Sequence, residues 1–483
     1  MMGWLTSGEG RTTERSREWI RRLLRGFELD LRSLALYRVA LGAIVLWDVA
    51  SRAPAYAAFY SDFGALPREL ASMPLPHFSL FFASGEPAWA LLCLALTAVA
   101  ALALLVGFYT RWATPACWLL VCSLIWRNQL VVHGGDELLS IQLLWGCFLP
   151  LGARFSLDAR GAASSNGQRF LSLGTVAIGI QFILFYFFTG ANKTGPEWHG
   201  EGDAIRTVLR NTYWTRPLGE WLLQSPLPTA MLSRAIPWLE MSVPFLMVSP
   251  FATSAFRFFA IGVLLAFQAS MGMTIELMLF PWVCIVATLP FLPAGFWDWL
   301  AKRTAILRHG ATTSAEYALD LAPSLQATLL VGTLVAWSLL SVAAPTKPLF
   351  ERPLKLIVAL RHDWLLYAPS PSVVDIQPAF YGTMGGAEIN LHTARLGPDW
   401  SRLQRIMAST RHRYAVEKLI RAAPSAAPLR EQHLLWLCRE WQRQDSGGTL
   451  NAVRLVVRSR VVNRPEEQPT QIRSLAKVRC TPE

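Results

Sequence analysis

Apolar residues in this chain are gathered into long runs, at roughly 34–50, 88–108, 112–126, 137–151, 171–190, 230–249, 257–273, 276–293 and 325–343. An α-helix rises 1.5 Å per residue, so about 20 apolar residues cross the ~30 Å hydrocarbon layer of a bilayer. Nine such runs predict nine transmembrane helices, of which the third and fourth are short. The polar stretch from Arg127 to Glu137 between those two either leaves the membrane or dips into it. Beyond residue 344 the pattern changes, and no spanning run follows. A stretch punctuated by Pro369 and Pro371 leads to an expected hairpin at Gly385–Gly386, with Ile389 and Leu391 alternating after it. Helical periodicity then appears near 400–422 and 427–444, and a strand pattern runs from Ala452 to Val462. The fold class expected is mainly α: a polytopic membrane helical bundle over residues 33–344, preceded by an Arg-rich segment 1–32 and followed by a small α+β domain over 345–483.

Composition agrees. With 53% hydrophobic and only 16% charged residues, 20 Trp and 25 Phe among 483 residues, the chain lies outside the range of soluble enzymes. The net charge of +12 does not read as a nucleic-acid footprint, because the basic residues sit in short clusters beside apolar runs, as orienting charges do. Arg11, Arg15, Arg17, Arg21, Arg22, Arg25 and Arg32 precede the first run; Arg154, Arg160, Arg169 and then Lys302, Arg303 and Arg308 fall in loops on the same side. The N-terminus is therefore expected in the cytoplasm of a cell with an inner membrane, and an odd number of spans puts the C-terminal domain outside. Residues 14–32 are expected to form an amphipathic helix on the inner surface. No cleavable signal is expected, because the first run holds Arg38 and Asp48 and follows some 30 residues of polar chain. Cys93, Cys117, Cys122, Cys147 and Cys284 lie in apolar runs without metal-ligand spacing, and no metal is expected; Cys438 and Cys480 lie in the exported tail and can form a disulfide there.

Polar groups at membrane depth are costly and mark candidate chemistry. The segment from Gln181 to Trp198 ends an aromatic-rich run in Tyr186, Asn192, Lys193 and Trp198, with Gly190, Gly195 and Pro196 breaking the helix. An amine held among aromatic rings loses hydration, which disfavours its charged form and frees it to act as a base; the alternative is a lysine that snorkels to the interface. A second cluster comprises Arg127, Asn128 and Gln129, followed by His133, Asp136 and Glu137 around two glycines. Glu240 needs a partner at its depth, for which Arg234 is the candidate, while Gln268 and Glu276 are expected to face one cavity and Arg38 and Asp48 each to reach another span or an interface. No catalytic-serine elbow, phosphate loop or dinucleotide motif is present.

Several motifs in order carry a resemblance: Leu36-Tyr-Arg38-Val-Ala-Leu-Gly42 with Trp47-Asp48, Phe59-Tyr60-Ser-Asp62-Phe-Gly64-Ala-Leu-Pro67, His133-Gly-Gly-Asp136-Glu137 and Leu149-Pro-Leu-Gly152-Ala-Arg154. They continue through Tyr186-Phe-Phe-Thr-Gly190-Ala-Asn-Lys193 with Trp198, Phe280-Pro281, Trp364 to Pro371 and Tyr381 to Gly386. The series resembles the horizontally transferred transmembrane (HTTM) domain, shared by bacterial membrane proteins and the vitamin K-dependent γ-glutamyl carboxylases. The resemblance implies that Lys193 deprotonates reduced vitamin K with His133 assisting; reduced menaquinone is the other candidate cofactor, and Arg127, Asp136, Tyr186, Asn192, Trp198, Glu240 and Gln268 are the candidate binding residues read from the sequence. Two departures stand out: Gln268 follows Phe267 where the family often has histidine, and the tail is shorter than the carboxylases' lumenal region. Three readings stay open: a quinone- or lipid-linked enzyme with a buried lysine base, a non-catalytic or peptide-maturation membrane protein, for which a secreted peptide or protein would be the substrate, and a transporter.

Overall fold

Asp30 starts the first long helix: its carboxylate accepts from the Arg32 backbone N–H, so α1 (Leu31–Arg52) begins with a satisfied donor. In the computed structural model the described residues are 21–71, 79–160, 168–303, 366–394, 402–443, 448–462 and 470–480, with Trp19, Gly332 and the pair Ala318–Leu319. The expected ninth span at 325–343 lies outside them apart from Gly332; of the expected surface helix 14–32, residues 14–18 and 20 lie outside them, 21–25 are helical and Leu29–Asp30 form a strand, so the described part is shorter than the helix expected.

Seven further helices complete the membrane part: α2 (Pro87–Val106), α3 (Thr110–Arg127), α4 (Gly134–Gly146), α5 (Leu173–Ala191), α6 (Pro226–Leu246), α7 (Thr253–Thr274) and α8 (Phe280–Thr288). A last piece, α9 (Ala294–Arg303), turns off at 89° from the helical stretch Phe280–Phe291. Local sequence sets the ends. α2 opens on Pro87 and closes on Gly107 at φ 72°, a left-handed position that glycine takes without strain. α5 opens on a reciprocal pair of hydrogen bonds between Ser172 and Thr175. Side chains on α2 such as Leu91, Leu96, Val99 and Leu102 remain exposed, which marks an apolar face turned to lipid rather than to a core.

Four helical stretches are long and apolar enough to cross a membrane: Leu31–Tyr60, Pro87–Val106, Leu173–Ala191 and Thr253–Thr274; the bent pair makes a fifth. The count of nine spans expected from the apolar runs is thus not reached among the described residues. α3 carries an internal Pro115, α4 has only 13 residues, and α6 carries Arg234, Glu240 and two internal prolines. These segments owe their burial to neighbouring helices more than to lipid.

The two ends of the bundle are distinguishable. At one end β1 (Leu29–Asp30), β2 (Arg169–Leu171) and β3 (Ala318–Leu319) form a small sheet, and Arg257 donates to the carbonyls of Gly26, Glu28 and Met247. At the other end sits the C-terminal domain, a four-stranded antiparallel sheet in the order β5 (Ala387–Asn390), β4 (Val374–Met384), β6 (Ala452–Val461), β7 (Gln471–Arg479). Helices α10 (Arg402–Ala408), α11 (Thr410–Arg421) and α12 (Ala427–Gln442) cover one of its faces. The expected hairpin turns at Gly385 and Gly386, both with positive φ, and Cys438 is bonded to Cys480. The single helical pattern read over 400–422 is two helices, because Ser409 turns outward and caps α11 through the His412 N–H.

The domain is riveted to the bundle by α11. Arg411 reaches Asp48 on α1 and Asp136 on α4, while Arg52 pairs with both of those carboxylates and with the Tyr60 hydroxyl. Two buried guanidiniums thus balance two buried carboxylates. Asp48 meets its partners here, one of them four residues along its own helix; Arg38 donates to the Phe155 carbonyl at 2.6 Å.

Candidate functional site

Lys193 follows the end of α5, where the helix stops at Ala191 and Asn192 caps it. Gly190 allows α5 and α6 to touch at this level: a Cβ there would come within 2.6 Å of the Pro237 carbonyl oxygen. That contact sets Lys193 against Glu240. The ammonium donates to Glu240 Oε2 at 2.6 Å and to the Thr189 carbonyl at 3.0 Å, and lies 5.3 Å from the centre of the Trp198 ring. Lys193 and Glu240 are 3% and 4% exposed, so the pair is shut off from bulk water. The amine is not the lone desolvated base that the sequence suggests but one half of an ion pair.

The partner expected for Glu240 was Arg234, and the structure corrects this. Six residues on a helix rotate about 240°, so the two side chains leave α6 on different faces. Arg234 instead donates to the Gly200 carbonyl at 3.1 Å, at an exposed position. Gln268 and Glu276 do not share a cavity either: Glu276 is held by Arg216 at 2.6 Å.

Beside the pair lies a cavity of about 350 Å³, walled by Phe185, Ile236, Phe267, Met271, Leu277 and Phe280 and reached by Lys193, Glu240, Thr189, Tyr186, Gln268, Trp198 and His133. Gln268 donates through Nε2 to the Tyr186 hydroxyl at 3.1 Å, and its Oε1 has no hydrogen-bond partner among the described residues. His133 caps α4. Its Nδ1 accepts from the Gly135 N–H at 3.0 Å, which fixes a neutral ring with its proton on Nε2. That nitrogen lies 3.5 Å from Asp136 Oδ2 and likewise has no hydrogen-bond partner among the described residues.

Of the nine residues singled out in the sequence, six line this cavity: Lys193, His133, Tyr186, Trp198, Glu240 and Gln268. The other three do not. Arg127 is buried elsewhere, donating to the carbonyls of Leu66 and Ser61. Asp136 stands behind His133, accepting its backbone N–H at 3.0 Å and bound to Arg52 and Arg411. Asn192 ends its helix without reaching the cavity.

Against this geometry, the HTTM domain matches the chain over residues 28–299, more than half its length. The chain belongs to the HTTM family. No curated protein and no solved structure matches it. The matched HTTM region contains every cavity residue that the sequence singled out. The wall is completed from outside that region by Leu366, Tyr367 and Tyr414. Tyr367 lies in the Trp364–Pro371 motif and could have been suspected. Tyr414 carries no local signal, since only the docking of α11 brings it to the bundle.

Proposed function

We propose that this HTTM protein is a membrane-embedded enzyme that binds a reduced quinone and moves protons at its ring through Lys193 and Glu240. The observation that carries this reading is the buried Lys193–Glu240 pair on the wall of an otherwise apolar cavity. A volume of about 350 Å³ falls within the range of small-ligand pockets, ~300–1,000 Å³. The residues suit such a ligand: flat aromatic walls for the ring, the unpartnered Gln268 Oε1 to accept from a phenolic hydroxyl, and His133 Nε2–H to donate to the opposite oxygen. A bound reduced vitamin K or menaquinone would supply a weakly acidic hydroxyl on an oxidisable ring.

The chain's own part is proton handling. Lys193 can take a proton only after giving one up, and Glu240, aligned at 2.6 Å, is the acceptor within reach. The Trp198 ring covers the ammonium, and its indole N–H is tied to the Tyr367 carbonyl at 3.2 Å, so this side of the pair is closed to water. His133 acts here as a fixed hydrogen-bond donor and not as a base, because its Nδ1 is already engaged.

We place the C-terminal domain on the outer side of a cell membrane, supported by its disulfide, which persists in oxidising compartments, and by the basic loops read at the opposite end. The decisive test uses the full chain in lipid nanodiscs with reduced menaquinone, following oxygen uptake and epoxide formation. Turnover that is lost in Lys193→Ala and Glu240→Gln supports the reading. Turnover undiminished by Lys193→Ala, or none with the unaltered protein, removes it.

A further inference from the structure

A second, smaller cavity of about 170 Å³ adjoins the first, and the two share Val208, Leu277, Tyr367 and Tyr414 as walls. We infer that this chamber binds the headgroup of an aminophospholipid, a phosphate carrying a primary ammonium, with an acyl chain following the shared apolar wall.

Its chemistry differs from that of the large cavity. Asn211 comes from the loop after the short helix Ala204–Leu209, and Glu417 and Arg421 come from one face of α11. Asn211 Oδ1 is buried and has no hydrogen-bond partner among the described residues. Glu417 accepts from Trp214 Nε1 at 3.1 Å through one oxygen and from Arg421 Nε at 2.8 Å through the other. A carboxylate offers about four lone-pair sites, so both oxygens can accept again. Two acceptor groups facing a small space call for a ligand rich in donors, which an ammonium with three N–H groups supplies.

A quaternary ammonium fits less well. Such a group has no N–H to give these two acceptors, and of the aromatic rings on the wall Trp214 already carries Arg413, 4.7 Å from its centre. The anion has its own receptor: Arg421 is half-exposed and uses Nε for Glu417, which leaves its terminal nitrogens for a phosphate. One chamber thus holds a cation, Arg421, for the phosphate and two acceptors, Glu417 and Asn211, for the ammonium. The chamber also sits at an end of the bundle, the level to which an apolar helix of spanning length brings a headgroup. It is enclosed by the loop 211–214, the stretch 367–372 and α11, at the end of the bundle where α5 and α7 stop.

This site does not depend on quinol chemistry, and the experiment keeps the two apart. The full chain is reconstituted in nanodiscs containing equal phosphatidylethanolamine, phosphatidylcholine and phosphatidylglycerol, and retained lipid is read by native mass spectrometry. The expected result is preferential retention of phosphatidylethanolamine, reduced roughly tenfold in Glu417→Gln, the effect of one lost charged hydrogen bond, and unchanged in Lys193→Met. Asn211→Leu, whose site is a loop, provides a second variant should Glu417→Gln fail to fold, and it should lose the same preference. Equal retention of the ethanolamine and choline lipids, or preference intact in both variants, overturns the proposal. Soluble O-phosphoethanolamine should fail to displace the lipid; full displacement overturns the assignment to a lipid.

Discussion

Lys193 and Glu240 were each legible in the sequence, as an amine after an aromatic run and a carboxylate inside an apolar one, whereas their pairing was not, because they stand 47 residues apart on different helices. Removing one member of a buried ion pair leaves the other uncompensated, at a cost of about 3–5 kcal/mol, while replacing both with apolar groups of similar size is often close to neutral. Lys193→Met and Glu240→Leu should therefore each lower the melting temperature in detergent clearly, and the double variant should regain most of the loss. Additive losses in the double variant would mean that the two groups are not a pair. The same separation of scales explains Arg127: its sequence context among Asn128, Gln129 and His133 looked chemical, but its two terminal nitrogens donate to the carbonyls of Leu66 and Ser61, away from the cavity.

Helices were legible where proline, glycine and capping residues punctuate the apolar runs, and least so where a run is helical without being a full span. Strand β7 escaped notice because it is a charged edge, with Ile472 62% exposed and a bulge in its pairing with β6. At this scale the critical contact is α5 against α6. Alanine at position 190 would push its Cβ toward the backbone oxygen of Pro237, which cannot swing aside as a side chain tip would. Gly190→Ala should therefore separate the helices, lengthen the Lys193–Glu240 contact and lower activity while the fold persists. Circular dichroism matching the unaltered protein, combined with a rise in hydrogen exchange confined to 186–193 and 236–241, is the expected signature. The C-terminal helices carry a pH dependence of their own. His412 and His433 face each other, Nε2 to Nε2 at 3.2 Å, and burial pushes His433 down to about 4 and His412 well below its ordinary value near 6.5. The unfolded chain then binds protons that the folded domain refuses. Stability is complete above about pH 6.5 and falls as the pH drops toward 4, so hydrogen exchange in α11 and α12 should accelerate over that interval.

On the scale of the whole molecule, the sequence shows a membrane part and a tail of different composition, but not that the tail closes the site. That closure rests on α11, whose two faces have different duties: Ala415 and Val416 join the apolar core that the domain's helices and sheet build, while Arg411, Tyr414 and Lys418 turn to the bundle. Arg411 is the residue on which docking should depend most. Without its guanidinium, Asp48 and Asp136 share only Arg52, and an excess negative charge stays buried, which costs about 3–5 kcal/mol. Arg411→Met should therefore loosen the interface rather than unfold either part: faster exchange in 127–136 and 410–421, with α12 and β6 still protected. Because Asp136 also accepts the backbone N–H of His133, the cavity wall should loosen with it. Adding Asp48→Asn to Arg411→Met removes the surplus charge and should restore much of the protection. If the double variant is no better than the single one, the charge balance is not what holds the domain down, and the contacts of Tyr414 and the hydrogen bonds of Lys418 to the Gln129 and Val132 carbonyls carry the docking instead.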